Sequence, residues 1–155
     1  MSSAINPQQT QEFYMVLNAL LSPNNDERNK AEAALKHLRL TNPDVLVACL
    51  ITALKDVQNV PNQVRQMVIS VLRNTLIKKS SAPDDGYDLW LKFQEPTRDA
   101  ARKTLMETLT TETFPPVRRL INTTIADVAS IMFELSSEKP PKSPIWSDLL
   151  PFLFK

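Results

Sequence analysis

Apolar residues recur along this chain three and four positions apart, in segments separated by short polar stretches that hold most of the prolines. That spacing predicts amphipathic helices. The first runs from Pro7 to Leu21 with Phe13, Val16, Leu17, Leu20 and Leu21 on one face, and Ser22-Pro23-Asn24-Asn25 ends it. Asp26 is expected to cap a second helix, about Glu27 to Leu40, that turns Ala31, Ala34, Leu35 and Leu38 inward. After the turn Thr41-Asn42-Pro43, a third helix over roughly Pro43 to Val57 buries Leu46, Cys49, Leu50, Ala53 and Leu54. Pro61 opens a fourth, whose stripe Val64, Met67, Val68, Val71, Leu72, Thr75 and Leu76 is nearly unbroken.

From about Ser80 to Lys92 the rhythm breaks, and Ser, Ala-Pro and Asp-Asp-Gly predict an exposed excursion. A fifth helix is expected from Pro96 to about Glu112 with Ala101, Leu105 and Leu109 inward. A sixth runs from Pro115 to Leu135 with Val117, Leu120, Ile121, Ile125, Val128 and Met132 inward. The stretch Ser136 to Ser143 is polar and proline-rich, hence a loop. Pro144 begins a seventh helical segment with Trp146, Leu149, Leu150 and Leu153 apolar. Having no partner helix, it is expected to leave an uncovered apolar patch.

One spacing returns three times. Arg28 is followed by Ala31 and Leu35, Arg65 by Val68 and Leu72, and Arg118 by Ile121 and Ile125. Residues at these offsets share a helix face, so three second helices repeat one register. A helix pattern repeated in fixed phase predicts stacked helix pairs. The Pro–Val–Arg entry to second helices favours HEAT-type repeats over tetratricopeptide ones, whose small and aromatic positions are missing. The expectation is an all-α, right-handed α-solenoid of three helix pairs and a truncated fourth. Repeat 1 spans about residues 7–40, repeat 2 about 43–79, a loop about 80–95, repeat 3 about 96–135, and the start of a fourth about 144–155. An Arg at this position of a stacked pair is expected to reach an acidic or carbonyl partner of the adjacent unit, which makes Arg28, Arg65 and Arg118 structural.

Composition narrows the function. The formal net charge is +1, which gives no basic stripe for nucleic acid. Against 12 prolines stands one glycine, Gly86, so glycine-rich phosphate cradles of the Rossmann and P-loop types are excluded. Cys49 is the only cysteine, which rules out an internal disulfide and favours a reducing compartment. The apolar run Met15 to Leu21 is too short to span a bilayer. No residues form a catalytic constellation: His37 stands beside Lys36 and Arg39 as a solvated side chain, and Asp84, Asp85 and Glu95 share no metal-binding or general-acid spacing. The chain reads as neither an enzyme nor a cofactor or metal protein.

Several stretches, in order, resemble the importin-beta (karyopherin-beta) superfamily. QQTQEFYMVLNALLSPNNDERNKAEAAL is similar to its first repeat, and PNQVRQMVISVLRNTLIKK to its second. LWLKF followed by LMETLTTETFPPVRRLINTTIADVASIMFE is similar to the third, and SPIWSDLLPFLF to the entry of the fourth, with proline two residues before Trp146 and Ser147 after it. The opening EFYMVLNALLSP leans towards the importin-five subtype.

The resemblance implies the N-terminal segment of a longer nuclear transport receptor that shuttles between cytoplasm and nucleus. Second helices would line a concave surface that grips the GTPase Ran in its GTP form. Protein cargo and nucleoporins would be held by later repeats outside this chain, with no role for nucleic acid or membrane. Residue by residue, Arg73 and Asn74 match the family's basic–Asn pair and Lys79 a lysine after it. Lys78, and Asn29 and Lys36 on the first repeat, are weaker candidates for the same surface. Lys78 and Lys79 also suit a helix C-terminus for simple electrostatic reasons. The rivals are a HEAT scaffold without a GTPase ligand, such as a phosphatase regulatory arm, and an export receptor of the same superfamily.

Overall fold

A computed structural model describes residues 6–77, 89–137, 146–149 and 151. Among these residues there are helices and no strand: α1 (Pro7–Leu20), α2 (Asn25–Thr41), α3 (Pro43–Lys55), α4 (Asn62–Ile77), α5 (Leu89–Lys92), α6 (Glu95–Thr111) and α7 (Pro115–Ser136). Proline starts α1, α3 and α7 and stands second in α6, positions where its missing N–H leaves no bond unmade. Side-chain caps fix the early boundaries. Asn6 and Gln9 form a reciprocal capping box on α1. Asn24 accepts from the N–H groups of Asp26 and Glu27, so the cap of α2 lies two residues before the expected Asp26. Asn42 both ends α2 and caps α3, which makes that turn tight.

The helices pack as pairs, α1 with α2, α3 with α4, and α6 with α7. The second and third pairs stack in the same sense. At one edge the Gln94 N–H before α6 donates to Asp44 near the start of α3 at 2.9 Å. At the opposite edge Arg65 joins the Leu54 carbonyl near the end of α3 to Glu112 at the end of α6. The first helices α3 and α6 therefore run parallel. α4 and α7 both set off from that second edge and meet again where Arg73 pairs with Asp127 at 2.6 Å. Their packing explains the wide buried stripe of α4, where Ile69 and Arg65 are covered in addition to the expected Val64, Val68, Leu72, Thr75 and Leu76.

The first pair joins differently. α2 packs on α1 and α3 and touches α4 little. Register explains it: with Arg28 aligned on Arg65, the position of buried Ile69 is taken on α2 by exposed Glu32. A carboxylate there cannot be buried without a partner, so α2 stays open towards α4. Only Ala31 of α2 is buried, Leu35 and Leu38 are half-buried, and Ala34, expected inward, is exposed. Leu21 is exposed as well.

One hydrophobic cluster runs from Phe13 and Leu17 of α1 to Leu135 of α7. The end of the expected excursion, at Trp90, is part of it, while residues 80–88 lie outside the described residues. Trp90 on α5 is 1% exposed and Phe93 3%, so the LWLKF stretch is an anchor rather than a loop. Arg102 of α6 lies over the Trp90 ring at 5.9 Å and Arg98 donates to the Trp90 carbonyl at 3.4 Å, which closes α6 over the indole. α6 turns Thr97, Thr104 and Thr108 inward beside Ala101 and Leu105, small side chains that let it lie close to α3. Trp146, expected to be uncovered, is buried in the same cluster with Leu149 half-buried against it; Leu150 and Leu153 lie outside the described residues. No helix among the described residues is long and apolar enough to cross a membrane.

Candidate functional site

The three register arginines have three different fates. Arg65 is 1% exposed and makes contacts on both sides of the stack. Its Nε donates to the Leu54 carbonyl of its own pair at 3.0 Å. Its Nη1 donates to Glu112 Oε2 of the next pair at 3.0 Å, and its Nη2 to Glu112 Oε1, making a bidentate fork. Nη1 also reaches Asn62 Oδ1 at 3.4 Å. The Arg65 guanidinium holds the Glu112 carboxyl below the usual carboxylate range, against the upward push of burial, helped by the Phe114 and Thr113 N–H groups. A cleft of about 440 Å³ opens beside this pair, lined in part by Lys55, Thr111 and Thr113.

Arg28 makes only the half of this pattern that belongs to its own pair. It donates to the Ser22 carbonyl at 3.3 Å and to Asn25. Asp56, which ends α3 as Glu112 ends α6, is held instead by the Tyr14 hydroxyl at 2.9 Å and by Asn59. Among the described residues the expected link from Arg28 to the adjacent unit is therefore absent, in keeping with an α2 that does not close on α4. Arg118 is exposed and pairs with nothing among the described residues, and most of the unit that would follow it lies outside them.

The candidate contact residues divide between two flanks. Asn74 on α4 and Asn29 and Lys36 on α2 are exposed as expected. Arg73, expected to face solvent freely, is half-buried, with its Nε bound to Asp127 Oδ2 on α7; the two side chains are 36% and 33% exposed. Lys78 and Lys79 lie outside the described residues. Asp127 had no helical-periodicity signal beyond its place off the apolar stripe of α7, so sequence reading passed over it. Glu112 was read only as a helix end; its spacing after Leu105 and Leu109 does mark the terminus that Arg65 seeks.

Few other groups carry perturbed chemistry. Burial, then the hydrogen bond to Asp56 and its charge, push the Tyr14 phenol up to about 12. Burial alone raises the Cys49 thiol to about 11, which leaves it unreactive. Burial works to raise the Asp56 carboxyl, but hydrogen bonds from Asn59 and Tyr14 and the Gln58 N–H outweigh it and hold it low. His37 is exposed. Among the described residues no three His, Cys, Asp or Glu side chains gather where a metal ion would fit.

The outer face of α4 and α7 is unusual in another way. Gln63, Gln66, Ser70, Asn74, Thr123 and Ser130 occupy it, exposed or half-buried, and the Arg73–Asp127 pair crosses it. On α4 the only charged side chains are Arg65, which is buried, and Arg73. No protein-family model matches the sequence, and no curated protein matches it.

Proposed function

We propose that this chain is a HEAT-type stack of helix pairs that binds a protein partner on the exposed face of its second helices. In its finer form the reading is the N-terminal segment of a nuclear transport receptor, with Ran in its GTP form as partner. The observation that carries the coarser reading is the charge-poor outer face of α4, where Arg73 is the one charged side chain not buried, in a chain that is 23% charged. Depletion of lysine and carboxylates with retention of arginine marks the core of protein contact surfaces. The parallel stacking of α3 on α6 and of α4 with α7, linked by Arg65 and Glu112, supports the repeat architecture. The choice of Ran rests on the sequence resemblance, which runs through that same face at Arg73 and Asn74.

The test is titration of Ran-GTP, with Ran-GDP as control, against the wild type and an Arg73→Ala/Asn74→Ala variant. Arg73 gives up a half-exposed ion pair, so the variant loses about 0.2–1 kcal/mol of folding stability from that source and remains folded. Binding is expected for Ran-GTP alone, and the double change weakens it by about 1–3 kcal/mol. A chain that ignores both nucleotide states of Ran is a scaffold of another kind.

A further inference from the structure

Arg73 is joined to Asp127 through Nε alone. A guanidinium has five N–H donors in a rigid fork. The four on Nη1 and Nη2 meet no acceptor among the described residues, and the side chain is 36% exposed. Arg65 is the internal contrast: the same residue type, buried, with Nε, Nη1 and Nη2 all committed to Leu54, Asn62 and Glu112. One arginine is closed on itself within the stack. The other is held by one edge, and its remaining donors sit on a part-exposed side chain of the charge-poor α4 with no acceptor among the described residues.

We propose that Arg73 and Asp127 together form a receptor for a carboxylate on an acidic segment of the partner protein. The carboxylate meets the Nη1–Nη2 edge, the planar two-bond geometry that Arg65 and Glu112 adopt inside the same stack. Asp127 is a positioning residue: it pins Nε, so the fork is oriented before the partner arrives and loses less side-chain freedom on binding. On α4 itself Arg73 is the one charged side chain that is not buried, so an anionic group meets no carboxylate of that helix. The inference rests on the partner-face reading above but not on the partner being Ran.

The probe is a hexaglutamate peptide at low ionic strength, followed in the intact chain by the NMR shifts of the Arg73 Nε–Hε resonance and, in every variant, of the Asn74 backbone amide, with hexalysine as control. Hexaglutamate shifts these resonances and hexalysine does not. Arg73→Lys keeps the charge and loses the fork, and weakens the peptide by roughly tenfold. Asp127→Ala weakens it too, although it removes a negative charge, whereas Asp127→Asn, which retains an acceptor for Nε, restores it. If repulsion by Asp127 were all that mattered, Ala and Asn would both tighten binding, and that outcome overturns the positioning role. If Arg73 served only to tie α4 to α7, none of the variants would change peptide binding, and that overturns the receptor. Loss of Ran-GTP binding with peptide binding intact sinks the Ran reading and leaves this one standing; Ran-GTP binding indifferent to Arg73→Lys does the reverse.

Discussion

Removing the Glu112 carboxylate is the sharpest test of how the stack is held. The pair it forms with Arg65 is nearly dry, the two side chains being 2% and 4% exposed. Glu112→Ala strands the guanidinium with only the Leu54 carbonyl and a long contact to Asn62, and takes the acceptor from the Phe114 N–H that starts α7. Orphaning one member of a buried pair costs about 3–5 kcal/mol. At 155 residues that lowers the melting temperature by roughly 6–20 °C. The double change Arg65→Met/Glu112→Leu removes both charges and fills similar volume, so it is expected to lie far closer to wild type than either single change. Urea unfolding followed by circular dichroism gives all the free energies, and the double-mutant cycle isolates the coupling.

The same pair sets a pH signature. Glu112 titrates lower in the folded chain than its ordinary value of 4.5, so the unfolded chain takes up its proton first as pH falls. The stability it contributes is complete above the unfolded value and is lost as pH drops through the folded one. Wild type therefore weakens below about pH 4.5 through this group, and Glu112→Gln lacks that component. A Glu112→Ala variant costing under about 1 kcal/mol, with an acid profile parallel to wild type, would refute the claim that this pair links the two helix pairs.

Three further outcomes follow from other contacts. Trp90→Ala removes the indole that α6 closes over and is expected to cost about 3–5 kcal/mol, read by urea titration; Trp90→Phe costs less. Tyr14→Phe deletes one partly buried hydrogen bond to Asp56 and costs about 1 kcal/mol near neutral pH. Because the folded phenol titrates near 12 rather than 10, its contribution is present below pH 10 and lost as pH rises towards 12, which ultraviolet absorbance and unfolding at alkaline pH report together. Cys49, buried and with its thiol raised to about 11, reacts with a disulfide reagent at neutral pH only through opening of the fold, so urea speeds its labelling, which thiol titration against time reports.

What could be read in advance was what periodicity encodes. The six long helices and most of their buried stripes follow from apolar spacing and proline placement, because those positions depend on one helix at a time. The errors fall where a residue's setting is made by a second helix. Trp90 and Phe93 sit in too short a segment to show a period, and only the three-dimensional cover of α6 makes them core. Arg65 looked like one of three equals. Its burial depends on α6 ending in a glutamate at the right height, which no local pattern states.

Charge placement on the second helices shows the same dependence, and it links stability to function. α4 carries Ile69 where α2 carries Glu32, and this one difference separates a closed inter-pair contact from an open one. Closing α4 on α7 brings Arg73 within reach of Asp127 and so orients the one charged side chain on the outer face of α4. Placing an isoleucine at position 32 would supply α2 with the missing apolar contact, and Met67 and Val71, half-buried on the flank of α4 turned away from α7, would become its cover. Glu32→Ile is therefore expected to stabilise the chain rather than to expose a new apolar patch, by up to about 1.5–3 kcal/mol if the isoleucine is fully buried. The decisive measurement is the pair of urea midpoints together with light scattering: an unchanged midpoint with concentration-dependent association would mean that α2 stays open for reasons other than Glu32.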